Sequence, residues 1–291
     1  MVWSVCIFAH NEERLLPQCL KALDAAAAGG EYVVHIMENG SSDQTASVAR
    51  AFAAADPRIN AHHLSLGDKS NAWNEYVHRV AGDAEMHVFI DGDVRPSANS
   101  FKALNEAFKA APQSYAAAAL PATGRSRKSW AARLFLNSYL SGNLYAVRGT
   151  AARLIRERNI RLPIGSVGED GILSYLMLTD LKGGRDDSHK ERIAVATDAF
   201  FEFDSLQINA RDLQIYRRRL RRYSRRYFQT QILYAMLKEG GVGAMPEKIE
   251  SIYTPQSLAG LRPRLDPVNY FVDREMLKRL RAEAASRAGA R

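Results

Sequence analysis

Asp91 and Asp93 are the side chains of this sequence best placed to do chemistry. They flank Gly92 and directly follow Val88-Phe89-Ile90, a short apolar run that reads as a buried strand. Side chains two apart at a strand end point the same way, so both carboxylates can face one ligand, and Gly92 lets backbone come close. Paired hard oxygens suit Mg²⁺ or Mn²⁺, ions that keep further positions for water and phosphate oxygens. Such an ion would neutralise the charge building on a departing diphosphate. An Asp-x-Asp is common in loops and caps; its place after a buried strand singles this one out.

The elements that must position this pair follow from periodicity. Residues 2–8, 32–37, 59–64, 86–90 and 115–120 read as strands, and 12–28, 44–55, 70–80 and 97–111 as helices between them. Leu15, Leu16, Cys19, Leu20 and Leu23 carry the first helix, and Ser41-x-x-Gln44 has capping-box spacing before the second. The alternation predicts a mostly parallel sheet with helices on both faces, whose ligands sit beyond the carboxyl ends of the strands. His10-Asn11-Glu12 and Glu38-Asn39 also follow strand ends and should converge with Asp91-Gly92-Asp93. Beyond residue 125 the order loosens: helices at 128–140, 150–159 and 168–180, strands at 143–148 and 193–203, then a basic helical stretch from 210 and a frayed tail after 281.

In that order, the motifs resemble glycosyltransferase family 2. "FAHNEERLLPQCLKAL", "MENGSSDQTASVARAF", "KSNAWNEYV", "VFIDGDVRP" and "GEDGILSYL" are similar to its strand-and-Asn-Glu opening, paired-aspartate turn, Lys-x-x-Ala-x-Asn segment, metal motif and Glu-Asp base segment. The resemblance implies a GT-A, Rossmann-like fold over residues 1–205, with a nucleotide-sugar half to about 125 and an acceptor half over 126–205. A basic helical extension over 206–291 would follow. It implies hexosyl transfer from a nucleotide-diphosphate sugar to an acceptor hydroxyl, with inversion, in polysaccharide biosynthesis. Ala9, Asn11 and Glu12 would line the nucleotide pocket; Glu38 and Asn39 stand where the family has paired aspartates. That departure bears on the family's usual UDP-sugar preference. Lys69 would meet the nucleotide or its phosphates, and Asn74 would brace the pocket. Asp91 and Asp93 would hold Mn²⁺ or Mg²⁺, with Gly92 between them. Asp170 would be the base, kept ionised by a helix N-terminus, with Glu169 the alternative. Arg219-Leu220-Arg221-Arg222-Tyr223 is similar to the family's Gln/Arg-x-x-Arg-Trp motif, with Tyr for Trp, so Arg219 or Arg222 would clamp the diphosphate. Trp130, Phe135, Tyr139 and Tyr145 lie where the family contacts a glycan or lipid-linked acceptor; buried packing is the commoner use of such residues.

Charge narrows the partners. The net +8 is concentrated in residues 125–161, which carry +8, and 211–226, which carry +7, leaving −7 on the rest. Such zones attract phosphates or anionic headgroups, and the second suggests a peripheral contact with the inner face of a membrane. The two cysteines, Cys6 and Cys19, lie in apolar stretches and read as reduced core residues. No leader or apolar run of ~18 residues is found, which predicts a cytoplasmic protein. His189 beside Asp186 and Asp187 reads as a surface loop rather than a metal site. A sugar-nucleotide pyrophosphorylase would need a Gly-rich loop where the sequence has His10-Asn11-Glu12-Glu13. A non-enzymatic membrane or nucleic-acid binder would leave the acidic clusters unexplained, and no nucleic-acid module signature is present.

Overall fold

The computed structural model describes residues 2–186, 189–204 and 210–289. The elements in chain order are β1 (Trp3–Ala9), α1 (Leu16–Ala27), β2 (Tyr32–Asn39), α2 (Thr45–Ala55), β3 (Ile59–Leu64), α3 (Lys69–Glu75), β4 (Met86–Asp91), β5 (Arg95–Pro96), α4 (Ser100–Ala110), β6 (Ala116–Pro121), α5 (Arg127–Asn137), β7 (Leu144–Arg148), α6 (Gly149–Glu157), α7 (Glu169–Leu178), β8 (Ile193–Glu202), α8 (Ala210–Gly240), α9 (Pro255–Ala259) and α10 (Pro267–Gly289). The eight strands form one sheet in the order β3-β2-β1-β4-β7-β6-β8-β5. β1 is buried along its whole length because parallel partners flank it, β2 on one side and β4 on the other.

Alternation along the strands builds two cores. Val5, Ile7 and Ala9 of β1 face α1 and α4, where Leu16, Leu20, Leu23, Phe101 and Leu104 cover them. Cys6 and Phe8 face the other way, into a core shared with Trp73, Tyr145, Leu173, Phe228, Leu237 and Leu280. The C-terminal helices therefore cover the second face of the sheet. The expected boundary at 205/206 falls outside the described residues.

The sheet is mostly parallel, as expected: it is parallel from β3 to β4 and between β6 and β8, while β7 enters between β4 and β6 antiparallel to both and β5 pairs antiparallel with β8. Two expectations need correction. The capping box before α2 does not form: Ser41 Oγ instead accepts from Asn11 N–H, and Asp43 Oδ1 accepts from Thr45 N–H at the helix start. The tail is not frayed through its described part, because α10 runs to Gly289 and buries Leu280 and Ala284 against α8 and α9.

Candidate active site

The carboxyl ends of β1, β2 and β4 open onto a cleft of about 1200 Å³, walled on the far side by α5, α7 and α8. Gly92 sets its floor. Its N–H donates to Phe8 O at 2.8 Å, and a Cβ there would meet the same oxygen at 3.0 Å. The turn after β4 can thus lie against β1, which carries Asp91 and Asp93 into the cleft beside Glu12, His10 and Asn39. His10 Nδ1–H donates to Asn39 O at 2.7 Å, while Asn39 Oδ1 is buried with no partner among the described residues.

Ala9, Asn11 and Glu38 do not line the cleft. Ala9 is sealed beneath Gly92. Asn11 ties the loop after β1 to the loop after β2, its N–H donating to Ser41 Oγ at 3.1 Å and its Oδ1 accepting from Ser42 N–H at 2.8 Å. Glu38, 2% exposed, accepts from Ser41 N–H of its own turn at 2.7 Å and pairs with His63 of β3.

Lys69 is the hub of the site. It stands at the start of α3, whose first turn is capped by Asp68 accepting from Asn71 N–H. Its ammonium reaches Asp91 Oδ1 at 2.5 Å, Glu169 Oε1 at 2.6 Å and Gly142 O at 3.1 Å. It thus joins the end of β4 to the start of α7. Asn74, one turn on, exchanges two 2.8 Å bonds with the backbone of Leu162 and braces the loop leading to Glu169. Glu169 is buried and turned to Lys69, which leaves Asp170 as the carboxylate of this pair on the cleft wall.

Asp170 is met from α8. Arg226 Nη2 lies 3.0 Å from Asp170 Oδ1. Arg219 and Arg222 line the cleft one to two turns before Arg226, beside Tyr223, and none of the described carboxylates pairs with either. Arg221 and Arg225 turn away to Glu275 and Glu283 of α10. In the other basic zone Arg133 reaches the cleft, whereas Arg148 and Arg156 bond to the protein body. Trp130 and Tyr139 line the cleft; Phe135 is exposed outside it; Tyr145 is a core residue stacked on Phe89. His189 pairs at the surface with Asp186 and Glu191; Asp187 lies outside the described residues.

The electrostatics divide the cleft. Burial, with the charges of Asp93, Asp91 and Asp43, pushes the Glu12 carboxyl up to about 8. Burial also raises Asp91 to about 6, against the pull of Lys69. These carboxylates repel one another, so a cation there is favoured, and their hard oxygens match Mg²⁺ or Mn²⁺. No group of three or more His, Cys, Asp or Glu among the described residues closes on one point, so a bound ion would take further oxygens from a ligand. At α7, Lys69 overcomes the burial of Glu169 and holds its carboxyl below the ordinary range. Burial raises Asp170 above its ordinary range against the pull of Arg226, and the Glu169 charge adds to the rise. The expected effect of the helix N-terminus on Asp170 is thus outweighed, which makes this carboxylate a stronger base.

Arg226, Tyr234, Asn143 and Ser174 also line the site, without any sequence motif to mark them. A helical spacing of four from Arg222 to Arg226 was the one available signal.

Comparison with known proteins places the chain. The model of Glycosyl transferase family 2 matches residues 4–167, more than half its length. The chain belongs to glycosyltransferase family 2. It is a glycosyltransferase with the GT-A fold. No curated protein matches this glycosyltransferase. Among solved structures it is similar to the mannosyltransferase PcManGT from Pyrobaculum calidifontis, in complex with GDP-Man and Mn²⁺, at 17% identity over 97% of this chain and 86% of that one, TM-score 0.59. It is also similar to S. aureus TarS 1-349 (14% identity, 100% and 92% covered, TM-score 0.50). A third is glucosyl-3-phosphoglycerate synthase from Mycobacterium tuberculosis with Mn²⁺, UDP and phosphoglyceric acid (18%, 76% and 78%, 0.51). At these identities the likeness is one of fold.

Proposed function

We propose that this glycosyltransferase moves a sugar from a nucleotide-diphosphate donor to an acceptor hydroxyl with inversion, the donor lying at Asp93 and Asn39 and the base being Asp170. The observation that carries the reading is the single cleft lined by both Asp93 and Asp170 and linked through Asp91, Lys69 and Glu169. Asp93 and Asp91 would hold Mg²⁺ or Mn²⁺, which supplies positive charge beside the diphosphate. Asn39 offers its unpartnered amide oxygen to a donor N–H of the base. Asn is not Asp, so the choice between uridine and guanosine donors is open to it; solved relatives of the fold carry GDP-Man or UDP. Arg219 and Arg222 stand ready for the diphosphate or for an anionic acceptor.

In the transfer, Asp170 takes the proton of the acceptor hydroxyl as its oxygen attacks the anomeric carbon. The bond from that carbon to the diphosphate oxygen breaks, and the diphosphate leaves with the electron pair. Trp130 and Tyr139 offer faces on which a glycan or lipid-linked acceptor can rest. No helix among the described residues is long and apolar enough to cross a membrane; a peripheral contact would use Arg217 and Arg218, which are exposed on α8.

A thermal-shift panel of GDP-Man, UDP-Glc and UDP-GlcNAc, with and without Mn²⁺, identifies the donor, because a ligand stabilises only the fold that binds it. Asp93→Ala is expected to abolish the Mn²⁺-dependent shift. Asp170→Asn is expected to keep it and to lower the transfer rate about 10²–10⁴-fold. Loss of nucleotide binding in Asp170→Asn would move that residue out of the role of base.

A further inference from the structure

α8 and the helices after it lie outside the matched family model, and yet α8 lines the cleft. Arg226 does not simply touch Asp170. Its guanidinium lies against the first turn of α7, in space that Gly168 and Gly171 leave open. A Cβ on Gly168 would come within 2.3 Å of Arg226 Nε and Cζ, and one on Gly171 within 2.7 Å of Nη2. Gly168 has φ +84°, a conformation that side chains other than glycine rarely take. A side chain at either glycine flanking Glu169-Asp170 would therefore have to displace the arginine from beside Asp170.

Further bonds hold α8 in register with this turn. Tyr234 Oη–H donates to Gly171 O at 2.7 Å, and Val167 N–H donates to Gln229 Oε1 at 3.0 Å. Phe228, Leu233 and Leu237, all fully buried, fix the same stretch of α8 in the core. Arg225, the neighbour, is held the other way by Glu283 of α10 at 2.6 Å. These contacts set α8 so that Arg226 lies beside the carboxylate that faces the cleft.

We propose that Arg226 is a positioning residue that orients Asp170 for proton removal, so that the C-terminal helices complete the active site rather than merely append to it. This rests on Asp170 being the base. The groups that face Asp170 are Arg226 and Tyr234 from α8, Lys69 from α3, Tyr145 from β7 and Glu169 beside it. Arg226 is the nearest cation and favours the ionised carboxylate, so its loss changes when Asp170 can accept a proton.

The test follows the Asp170 carboxyl itself by ¹³C NMR, its signal identified by its absence in Asp170→Asn, in the full chain, Arg226→Gln and Arg226→Lys. Arg226→Gln is expected to move the titration midpoint of Asp170 up by about one pH unit or more, and Arg226→Lys to restore most of the difference. UDP and GDP, each titrated with Mn²⁺ by calorimetry, are expected to bind the parent and Arg226→Gln within about twofold of each other, which also reports that the variant is folded. An unmoved Asp170 midpoint in Arg226→Gln overturns the proposal, as does a loss of nucleotide affinity of tenfold or more, which would assign Arg226 to the donor. Failure of the base assignment reads differently: Asp170→Asn would retain transfer while the coupling to Arg226 stood.

Discussion

At the scale of single residues, the site is a chain of alternating charge: Asp91, Lys69, Glu169, with Asp170 and Arg226 beside it. Lys69 takes one oxygen each from Asp91 and Glu169, and Asp93 and Asp170, their near neighbours, face the cleft together with Asp91. Removing the ammonium leaves the buried Glu169 and the partly buried Asp91 without their shared cation. Lys69→Met is expected to destabilise the fold by about 3–5 kcal/mol, read by urea denaturation, and Lys69→Arg by less. A stability unchanged in Lys69→Met would mean that water already screens this hub. The same logic explains why Glu38 is turned away from the cleft: its buried carboxylate is satisfied by Ser41 and His63.

At the scale of elements, β1, β4 and the helix beginning with α3 are pinned by a buried polar relay. Ser4 Oγ and Tyr76 Oη lie 2.7 Å apart, and Tyr76 Oη lies 3.0 Å from His87 Nδ1. His87 is 1% exposed, and its Nε2 has no partner among the described residues. Burial, with Arg156 nearby, lowers its pKa from 6.5 to about 4. The unfolded chain therefore binds the proton first as pH falls. This stability is complete above about pH 6.5 and is lost as pH falls toward about 4, with about 2 kcal/mol gone at pH 5. Chemical denaturation at pH 7 and pH 5 reads the loss, and His87→Gln is expected to shrink it by that amount. An equal pH dependence in the variant would mean that other groups carry it.

At the scale of the whole molecule, one core joins Cys6 and Phe8 under the sheet to Phe228 of α8 and Leu280 of α10. Leu280 is fully buried, so Leu280→Ala is expected to cost about 2–5 kcal/mol. Because the core is continuous, tryptophan fluorescence, from Trp3, Trp73 and Trp130, and far-ultraviolet circular dichroism are expected to report one shared transition in both proteins. A separate early loss of helix in Leu280→Ala would show the C-terminal helices folding as their own unit. The same continuity gives the division of the basic segment its meaning. Arg221 and Arg225 hold α10, Arg222 and Arg226 turn to the cleft, and one helix thereby serves two surfaces.

The amino-acid sequence by itself determined the alternation of strands and helices to residue 121 except for the two-residue β5, because the other strands are short apolar runs closed by turn residues and the helices between them show apolar stripes. It also marked Asp91-Gly92-Asp93 and Glu169-Asp170, since local order places acidic groups at element ends. Long-range contacts decided the rest. The antiparallel entry of β7 is settled by which edge of β4 is free, and no local pattern encodes that. Glu169 and Asp170 are adjacent and alike in sequence; Lys69, a hundred residues earlier, and Arg226, fifty-six later, make one a clamped structural charge and the other an accessible carboxylate. Charge and exposure at a site depend on what packs from elsewhere in the chain, and only the folded arrangement brings those partners together.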